Sequence, residues 1–258
     1  MTAILAAIAV AIGISLGLLG AGGAIVAVPA FVYIGGIAVN MADGYALFVV
    51  AVSSFIAVVL QARSRLVDWK TISWFGPSTI VSLILTRRYL NDHVNDQIQM
   101  LLFGLLLLAA ASAMLRRKPE DQATVVSPKP LLLSAYGLLI GMIGGLLGVG
   151  GGFLMTPALV LWAGLDMKRA VASSLVLICV NSSTGVAVDL TRGVHYDWSF
   201  VLTFTGLATA GIIVGTILSR RIDSKYLRAS FGWLVLAIGL TVLAIELVSL
   251  YSSYGTQS

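Results

Sequence analysis

Cysteine occurs once in this 258-residue chain, at Cys179. A lone thiol excludes an intrachain disulfide and any cysteine-cluster metal site. Histidine occurs twice, at His93 and His195, and neither lies in a cluster of carboxylates. No metal centre is therefore expected. Charge is scarcer still: only 10% of residues are Asp, Glu, Lys or Arg, against about 25% in a soluble domain. Hydrophobic residues make up 59%, and the mean hydropathy is +0.99. No soluble core absorbs that much apolar surface, so the composition describes an integral protein of the lipid bilayer. The net charge of +5 sits mostly in short loops, where it reports membrane orientation and not nucleic-acid binding. The first 19 residues lack a basic n-region and a clear cleavage site, and read as retained structure. No nucleophile stands beside a base, and no GK[ST] follows the glycine-rich segments, so neither an enzyme nor a cofactor is expected.

Glycine, in contrast, is abundant and patterned. Residues 17–32 read GLLGAGGAIVAVPAFV and residues 145–160 read GLLGVGGGFLMTPALV, with nine of sixteen positions identical at an offset of 128. Ser53-Ser54 matches Ser182-Ser183 at an offset of 129, as RSRLVDW (63–69) matches RGVHYDW (192–198). The chain is thus two copies of one unit, each with a glycine-rich break and a proline inside an apolar stretch. Paired, interrupted apolar segments are the sequence mark of secondary transporters, whose discontinuous helices build a substrate site near the membrane midplane.

Apolar segments fall at about 3–19, 22–38, 44–62, 71–86 and 97–115, then 131–147, 152–165, 170–190, 199–219 and 229–250. This predicts an all-α polytopic membrane protein: repeat 1 over 1–115, a polar linker over 116–130, and repeat 2 over 131–258. The arms beside each glycine cluster are short for a span of about 20 residues, and fit a hairpin. If each hairpin returns to its starting side, 13 of the 16 Lys and Arg face one side, leaving Arg87, Arg88 and Arg192 on the other. If each pair crosses once, the count divides evenly. The positive-inside rule selects the first arrangement. It gives cytoplasmic basic loops and linker, both termini outside, and two repeats of inverted topology in an inner membrane.

The candidate substrate groups follow from the breaks. Gly20, Ala21, Gly22 and Gly23, and Gly148, Val149, Gly150, Gly151 and Gly152, each precede a new helix. Its free amides and positive dipole end make an anion site without a charged side chain. Close packing of helices is the competing reading. Ser53 and Ser54 in the first half, and Ser173, Ser174, Asn181 and Ser182 in the second, lie inside apolar segments. Neutral donors suit an oxyanion, with interhelical hydrogen bonding as the alternative. Ser174 and Asn181, seven apart, share a helix face. Asp189 and Glu246 fall near helix ends, with Arg192 and His195 near Asp189 in sequence, so a structural salt bridge is expected. Asp68-Trp69 and Asp197-Trp198 read as turns entering helices, and Trp69, Trp74, Trp198 and Tyr196 as an interfacial belt. No buried carboxylate stands out to serve proton or sodium symport.

These motifs, together with RAVASSL (169–175) and GVHYDW (193–198), resemble the TauE/SafE family of sulfite exporters and anion permeases over nearly the whole chain. The resemblance implies two homologous halves and transport of sulfite, thiosulfate, sulfoacetate or other small organosulfonates or carboxylates. Two departures imply an asymmetric site. YALF (45–48) stands where the second half has SSLV (174–177), and the stretch 71–88 is four or five residues shorter than 199–221. The expected function is transport of a small anion, most of all export of a sulfur oxyanion by alternating access. An anion channel, an ion-coupled uptake permease and a non-transporting membrane scaffold are the alternatives. The partners expected are the small anion, the bilayer and, as an open alternative, a second copy of the chain.

Overall fold

The computed structural model describes residues 3–20, 22–61, 65–90, 94–116, 130–147 and 151–255. Hydrocarbon offers no hydrogen bonds, so an apolar chain crossing it must satisfy its own backbone. The described residues are accordingly mostly helical: α1 (Ala3–Leu19), α2 (Gly22–Pro29), α3 (Val39–Gln61), α4 (Trp69–Tyr89), α5 (Asp96–Arg116), α6 (Pro130–Leu146), α7 (Gly152–Leu161), α8 (Met167–Thr191), α9 (Trp198–Ser219) and α10 (Ser224–Gly255). Five of them, α3, α5, α8, α9 and α10, are long and apolar enough to cross a membrane. The protein is an all-α polytopic membrane protein.

The aspartates at the segment entries have a plain local role. Asp68 caps α4 by accepting the Thr71 N–H at 2.9 Å, and Asp197 caps α9 by accepting the Phe200 N–H at 3.1 Å. Such caps satisfy amides that a helix start leaves free. The expected shortness of 71–88 is not seen: α4 has 21 residues and α9 has 22. A polar count over the segment misses the helix because Lys70, Arg87 and several hydroxyls lie inside it.

Both glycine breaks turn the chain back. A carbon placed on Gly23 would stand 2.6 Å from Leu16 Cβ and 2.9 Å from the Ile12 carbonyl, and one on Gly151 would stand 2.9 Å from the Ile140 carbonyl. At 1.5 Å per residue, the eight residues of α2 and ten of α7 reach about 12 and 15 Å, half of a hydrocarbon core of about 30 Å. Both arms, with the π-helical turn Ala30–Ile34 counted after α2, are shorter than the roughly 20 residues of a full crossing. Pro29 lacks an N–H and crowds the preceding turn. The chain beyond it widens into a π-helical turn, Ala30–Ile34, where the Gly35 N–H reaches back five residues to the Ala30 carbonyl at 2.9 Å. The apolar segment expected to run to residue 38 ends there.

Helices pair across the two halves. α1 packs on α9, α6 on α4, α3 on α8, and α5 on α10. Two of these seams are lined with glycine. Gly13 and Gly17 of α1 meet Gly211 and Gly215 of α9, where an added Cβ would stand 1.9 to 2.5 Å from a facing carbonyl oxygen. Gly137, Gly141 and Gly145 of α6 meet α4, with the Phe75 and Thr79 carbonyls 2.6 and 2.3 Å from an added carbon at Gly137 and Gly141. Gly13 and Gly17 relate to Gly141 and Gly145 by the same offset of 128. In lipid, helices gain nothing from hiding apolar surface from tails that are equally apolar, so close approach over small residues is what holds them.

A Gly211→Val protein is expected to lose about 1–3 kcal/mol or more, because overpacking a tight seam displaces backbone. Gly206, on the same helix with nothing within 4 Å of an added carbon, is the control. Gly206→Ala is expected to be neutral or to gain up to about 1 kcal/mol of helix propensity. Thermal unfolding of the purified proteins in one detergent separates the two.

Candidate functional site

One face of α8 is the spine of the site. Val171, Ser174, Ile178 and Asn181 follow three- and four-residue steps and line one stripe. Gly20 lies against the first of these residues with φ +78°, in the left-handed region that L side chains rarely adopt. A carbon there would stand 2.8 Å from Ser174 Oγ and 3.1 Å from Val171 Cα. Next comes Thr156 of α7, fully buried. Its hydroxyl donates to Ser174 Oγ at 2.9 Å and lies 3.5 Å from the Leu19 carbonyl that ends α1. Ser174 passes the chain of bonds on, donating to the Val171 carbonyl at 3.0 Å. Gly152, the first residue of α7, faces Ile178, with 3.2 Å from an added carbon to Cγ1. Asn181 then meets α4: its Oδ1 accepts from Thr79 Oγ1 at 3.3 Å. Both glycine breaks, α4 and α7 thus meet one stripe of α8 about 15 Å long.

Three donors stand out here. Ser53 Oγ, Asn181 Nδ2 and Ser182 Oγ belong to residues that are 0% exposed and have no hydrogen-bond partner among the described residues. An unmet buried polar group costs about 1–3 kcal/mol. Two of the three, Ser53 and Ser182, are repeat-related. They belong to α3 and α8, helices that run antiparallel: Gly44 lies beside Tyr196 and Asp189, and Leu47 packs on Gly185.

The remaining candidates divide. Gly151 N-caps α7 with φ +70°, and Gly22 opens α2. The first amides of both helices have no intrahelical acceptor, and α2 packs on α7. Ser54 donates to its own helix at the Val50 carbonyl, 2.5 Å away. Together with Ser183 it lies within reach of the Cys179 thiol. Ser173 stands apart, accepting the Asp68 N–H at 2.9 Å and so fixing a loop. Ala21, Gly148, Val149 and Gly150 lie outside the described residues. Thr156 and Thr79 were not expected. Thr156 had a signal in the repeat, since a hydroxyl replaces Val28 immediately before the paired proline. Thr79 had none beyond being polar in an apolar segment.

The two ends of this stripe differ. At one end the basic loops converge. Arg169 pairs with Asp68 at 3.1 Å, and a small cavity is lined by Gln61, Leu66, Lys168, Val171, Ser219 and Arg220. Val171 belongs to both that cavity and the surroundings of Gly20. At the other end lies a buried ion pair that the sequence misassigns. Asp189 pairs with neither Arg192 nor His195 but with Arg87, whose Nε and Nη2 donate to Oδ1 and Oδ2 at 2.6 Å each. Arg192 instead donates to the Arg87 carbonyl at 2.9 Å. Tyr196 is no belt residue: it is buried and donates to Asp189 Oδ2 at 3.3 Å. Trp69, Trp74 and Trp198 are exposed as a belt requires. Glu246 accepts from Tyr33 Oη at 2.6 Å. A buried carboxylate absent from the sequence reading also appears, Asp43, whose Oδ2 accepts from Gln99 Nε2 at 2.7 Å. Apart from Tyr196 and Asp189, seven positions apart, these pairs join residues 56 to 213 positions apart, beyond the reach of local sequence pattern.

Comparison with known proteins agrees with this architecture. The family model described as "Sulfite exporter TauE/SafE" matches residues 5–242. A probable membrane transporter protein of Xylella fastidiosa is 30% identical over 90% of this chain and 91% of its own length. One from Methanocaldococcus jannaschii is 29% identical over 80% and 79%. An Arabidopsis thaliana protein named as sulfite exporter TauE/SafE family protein 1 is 30% identical over 46% of this chain and 25% of its own length. No solved structure matches.

Removing one partner of the buried pair leaves an uncompensated charge, so Arg87→Met is expected to cost about 3–5 kcal/mol. The double variant Arg87→Met, Asp189→Leu is expected to recover most of that loss. Thermal midpoints of the three proteins in detergent check this, and an Arg87→Met protein melting with the wild type would show that the pair is not desolvated.

Proposed function

We propose, from the premise that this chain belongs to the sulfite exporter TauE/SafE family, that it is a membrane transporter whose cargo is a small sulfur oxyanion. The carrying observation is the trio of unmet donors, Ser53 Oγ, Asn181 Nδ2 and Ser182 Oγ. Asn181 and Ser182 lie in α8, which also meets Gly20, Gly152 and Thr156, and Ser53 lies in α3, which packs on α8. Neutral hydroxyls and amides hold an anion without the desolvation cost of a buried cation. Helix starts add the positive end of a dipole. Nothing in this set selects a cation.

The reading extends to mechanism. Antiparallel α3 and α8, and the reciprocal pairing of α1 with α9 and α6 with α4, support two repeats of inverted topology. The cavity beside Lys168 and Arg220 lies on the side that the charge count assigns to the cytoplasm, and an anion enters it favourably. The Arg87–Asp189 pair closes the opposite end. A membrane potential negative inside drives a monovalent anion outward by about 2.3 kcal/mol per 100 mV. Export by alternating access follows. An ion-coupled uptake permease uses the same donors, and the direction of flux in oriented vesicles separates the two.

The test is thermal unfolding against sulfite, thiosulfate, sulfoacetate, sulfate, acetate and chloride. A ligand at 100 times its Kd adds about 2.7 kcal/mol to the folded state. At least one sulfur oxyanion is expected to raise the wild-type midpoint. Ser53→Ala and Ser182→Ala remove hydroxyls with no protein partner. In the absence of anion they are expected to melt at or above the wild type, since deleting an unmet polar group relieves its cost. With anion present they are expected to respond less. A midpoint that falls without anion and responds fully with it would make these hydroxyls structural and sink the proposal.

A further inference from the structure

Position along α8 orders the contacts of the site from its basic end to the opposite end. First comes the cavity at Lys168 and Val171, then the Thr156–Ser174 contact, then Thr79 on Asn181. The ion pair at Asp189 comes last. The two flanks of the stretch from Ser174 to Asn181 are unequal. Towards the ion pair, Asn181 and Asp189 are eight residues apart, about 12 Å. That length is packed. Gly185 lies on Leu47, with 3.0 Å from an added carbon to Cδ1. Beyond it Arg87 holds Asp189 at 2.6 Å, and the buried Tyr196 covers Oδ2 at 3.3 Å. Gly44 of α3 meets the same tyrosine, with 3.2 Å from an added carbon to Oη. A ligand passes this flank only if α3, α4 and α8 part.

Towards the basic end, Ser174 and Val171 are three residues apart, less than one turn. The cavity beside Lys168 and Arg220 has Val171 in its wall. It lies where α3 and α9 end and α8 begins. Away from the cavity, Val171 meets Gly20: its Cα and Cγ1 stand 3.1 and 3.2 Å from a carbon placed there. Ser174 Oγ stands 2.8 Å from the same point and donates to the Val171 carbonyl at 3.0 Å. Val171 is 3% exposed. Among the described residues it is Val171 that stands between the cavity and the glycine break. A valine in a helix is held to one side-chain rotamer, so it does not swing aside as a longer chain would.

We propose that Val171 is the barrier between the basic-side cavity and the anion site, and that it determines what enters from that side. The protein is then closed by a deep packed layer towards one side and by one valine towards the other. Passage on the basic side asks for displacement of one side chain. Passage on the other asks a desolvated ion pair to separate, which is the costlier event.

The barrier rests on geometry, while the identity of what crosses it rests on the anion-transport reading. On that reading, Lys168 and Arg220 raise the local concentration of anions in front of Val171. Arg220 is itself anchored, its Nη2 donating to the Leu60 carbonyl near the end of α3. Lys168 forms no salt bridge among the described residues. A cation would meet two like charges before reaching the valine.

Thiol accessibility tests the barrier without any transport assay. Cys179 is the single cysteine, so Cys179→Ser gives a background in which Ser174→Cys carries the one thiol. The probe is 2-sulfonatoethyl methanethiosulfonate, which does not cross lipid, added to one side of oriented vesicles. With Val171 present, modification is expected to be slow from both sides. Val171→Ala is expected to speed it about tenfold or more, from the basic side alone. Ile178→Ala, which truncates a buried side chain of the same stripe, is expected to leave the rate unchanged. Where Val171→Ala does not fold, Val171→Thr keeps the shape, adds a polar atom to the barrier, and is expected to speed the reaction likewise. A rate indifferent to both Val171 variants, a rise from the opposite side, or an equal rise in Ile178→Ala overturns the proposal. The trimethylammonium analogue separates the anion reading, each rate being taken relative to that with a small free thiol. In Val171→Ala the sulfonate is expected to react relatively faster, and Lys168→Gln to narrow the difference. A cation that reacts as fast, with the Val171 effect intact, sinks the anion reading and leaves the barrier standing.

Discussion

A helix that stops inside hydrocarbon must give its free amides and carbonyls to protein, since no water is there to take them. Everything specific about this fold follows from two such stops. Each glycine break ends one helix and starts another within the bundle, so the starts of α2 and α7 need neighbours that can face a polar backbone. α8 supplies them. Ser174, Thr156 and Gly20 form one contact, Gly152 and Ile178 a second, and Asn181 and Thr79 a third. The polar stripe is therefore required by the breaks, and the breaks are tolerated because the stripe is there.

The second requirement is that these stops be held still. Neither α2 nor α7 is long enough to anchor itself across the bilayer. Their positions are inherited from α1 and α6, and those helices are fixed by glycine seams to α9 and α4. Rigidity at the seams leaves the ends of the bundle as the places where motion is cheapest. One end is tied by exposed pairs such as Arg169–Asp68, which water weakens. The other is tied by the desolvated Arg87–Asp189 pair, which water does not reach.

Much of this was legible in the sequence, for a physical reason. Apolar segments and helix-capping aspartates are properties of short windows, and a bilayer imposes its thickness on each window separately. Of the candidate site, the residue types were legible, and Gly20, Gly152, Ser174 and Asn181 lie along one stripe of α8. What sequence did not carry was pairing. Arg87 was counted among the loop charges because it stands beside Arg88 at a segment end, and only the register of α4 on α8 brings it to Asp189. Tyr196 looked like a belt residue because it precedes a tryptophan by two positions. Asp43 lay in a segment margin and drew no attention. Ser173, adjacent to Ser174, points to a different job because neighbouring helix positions face different directions.

The glycine seams also say something about descent. Each copy of the repeated unit keeps its stripe of small residues for a helix belonging to the other copy. A solitary copy would present that stripe to lipid and its broken helix to nothing. The unit is incomplete by construction, since each copy's seam is completed only by a helix of the other. The two copies are not identical where they meet. Ser174 stands where its counterpart became Tyr45, and the arginine of the ion pair, Arg87, corresponds at the offset of 129 to a threonine, Thr216. A symmetric pair would carry the same groups at both ends of the bundle, and this chain carries a buried ion pair at only one.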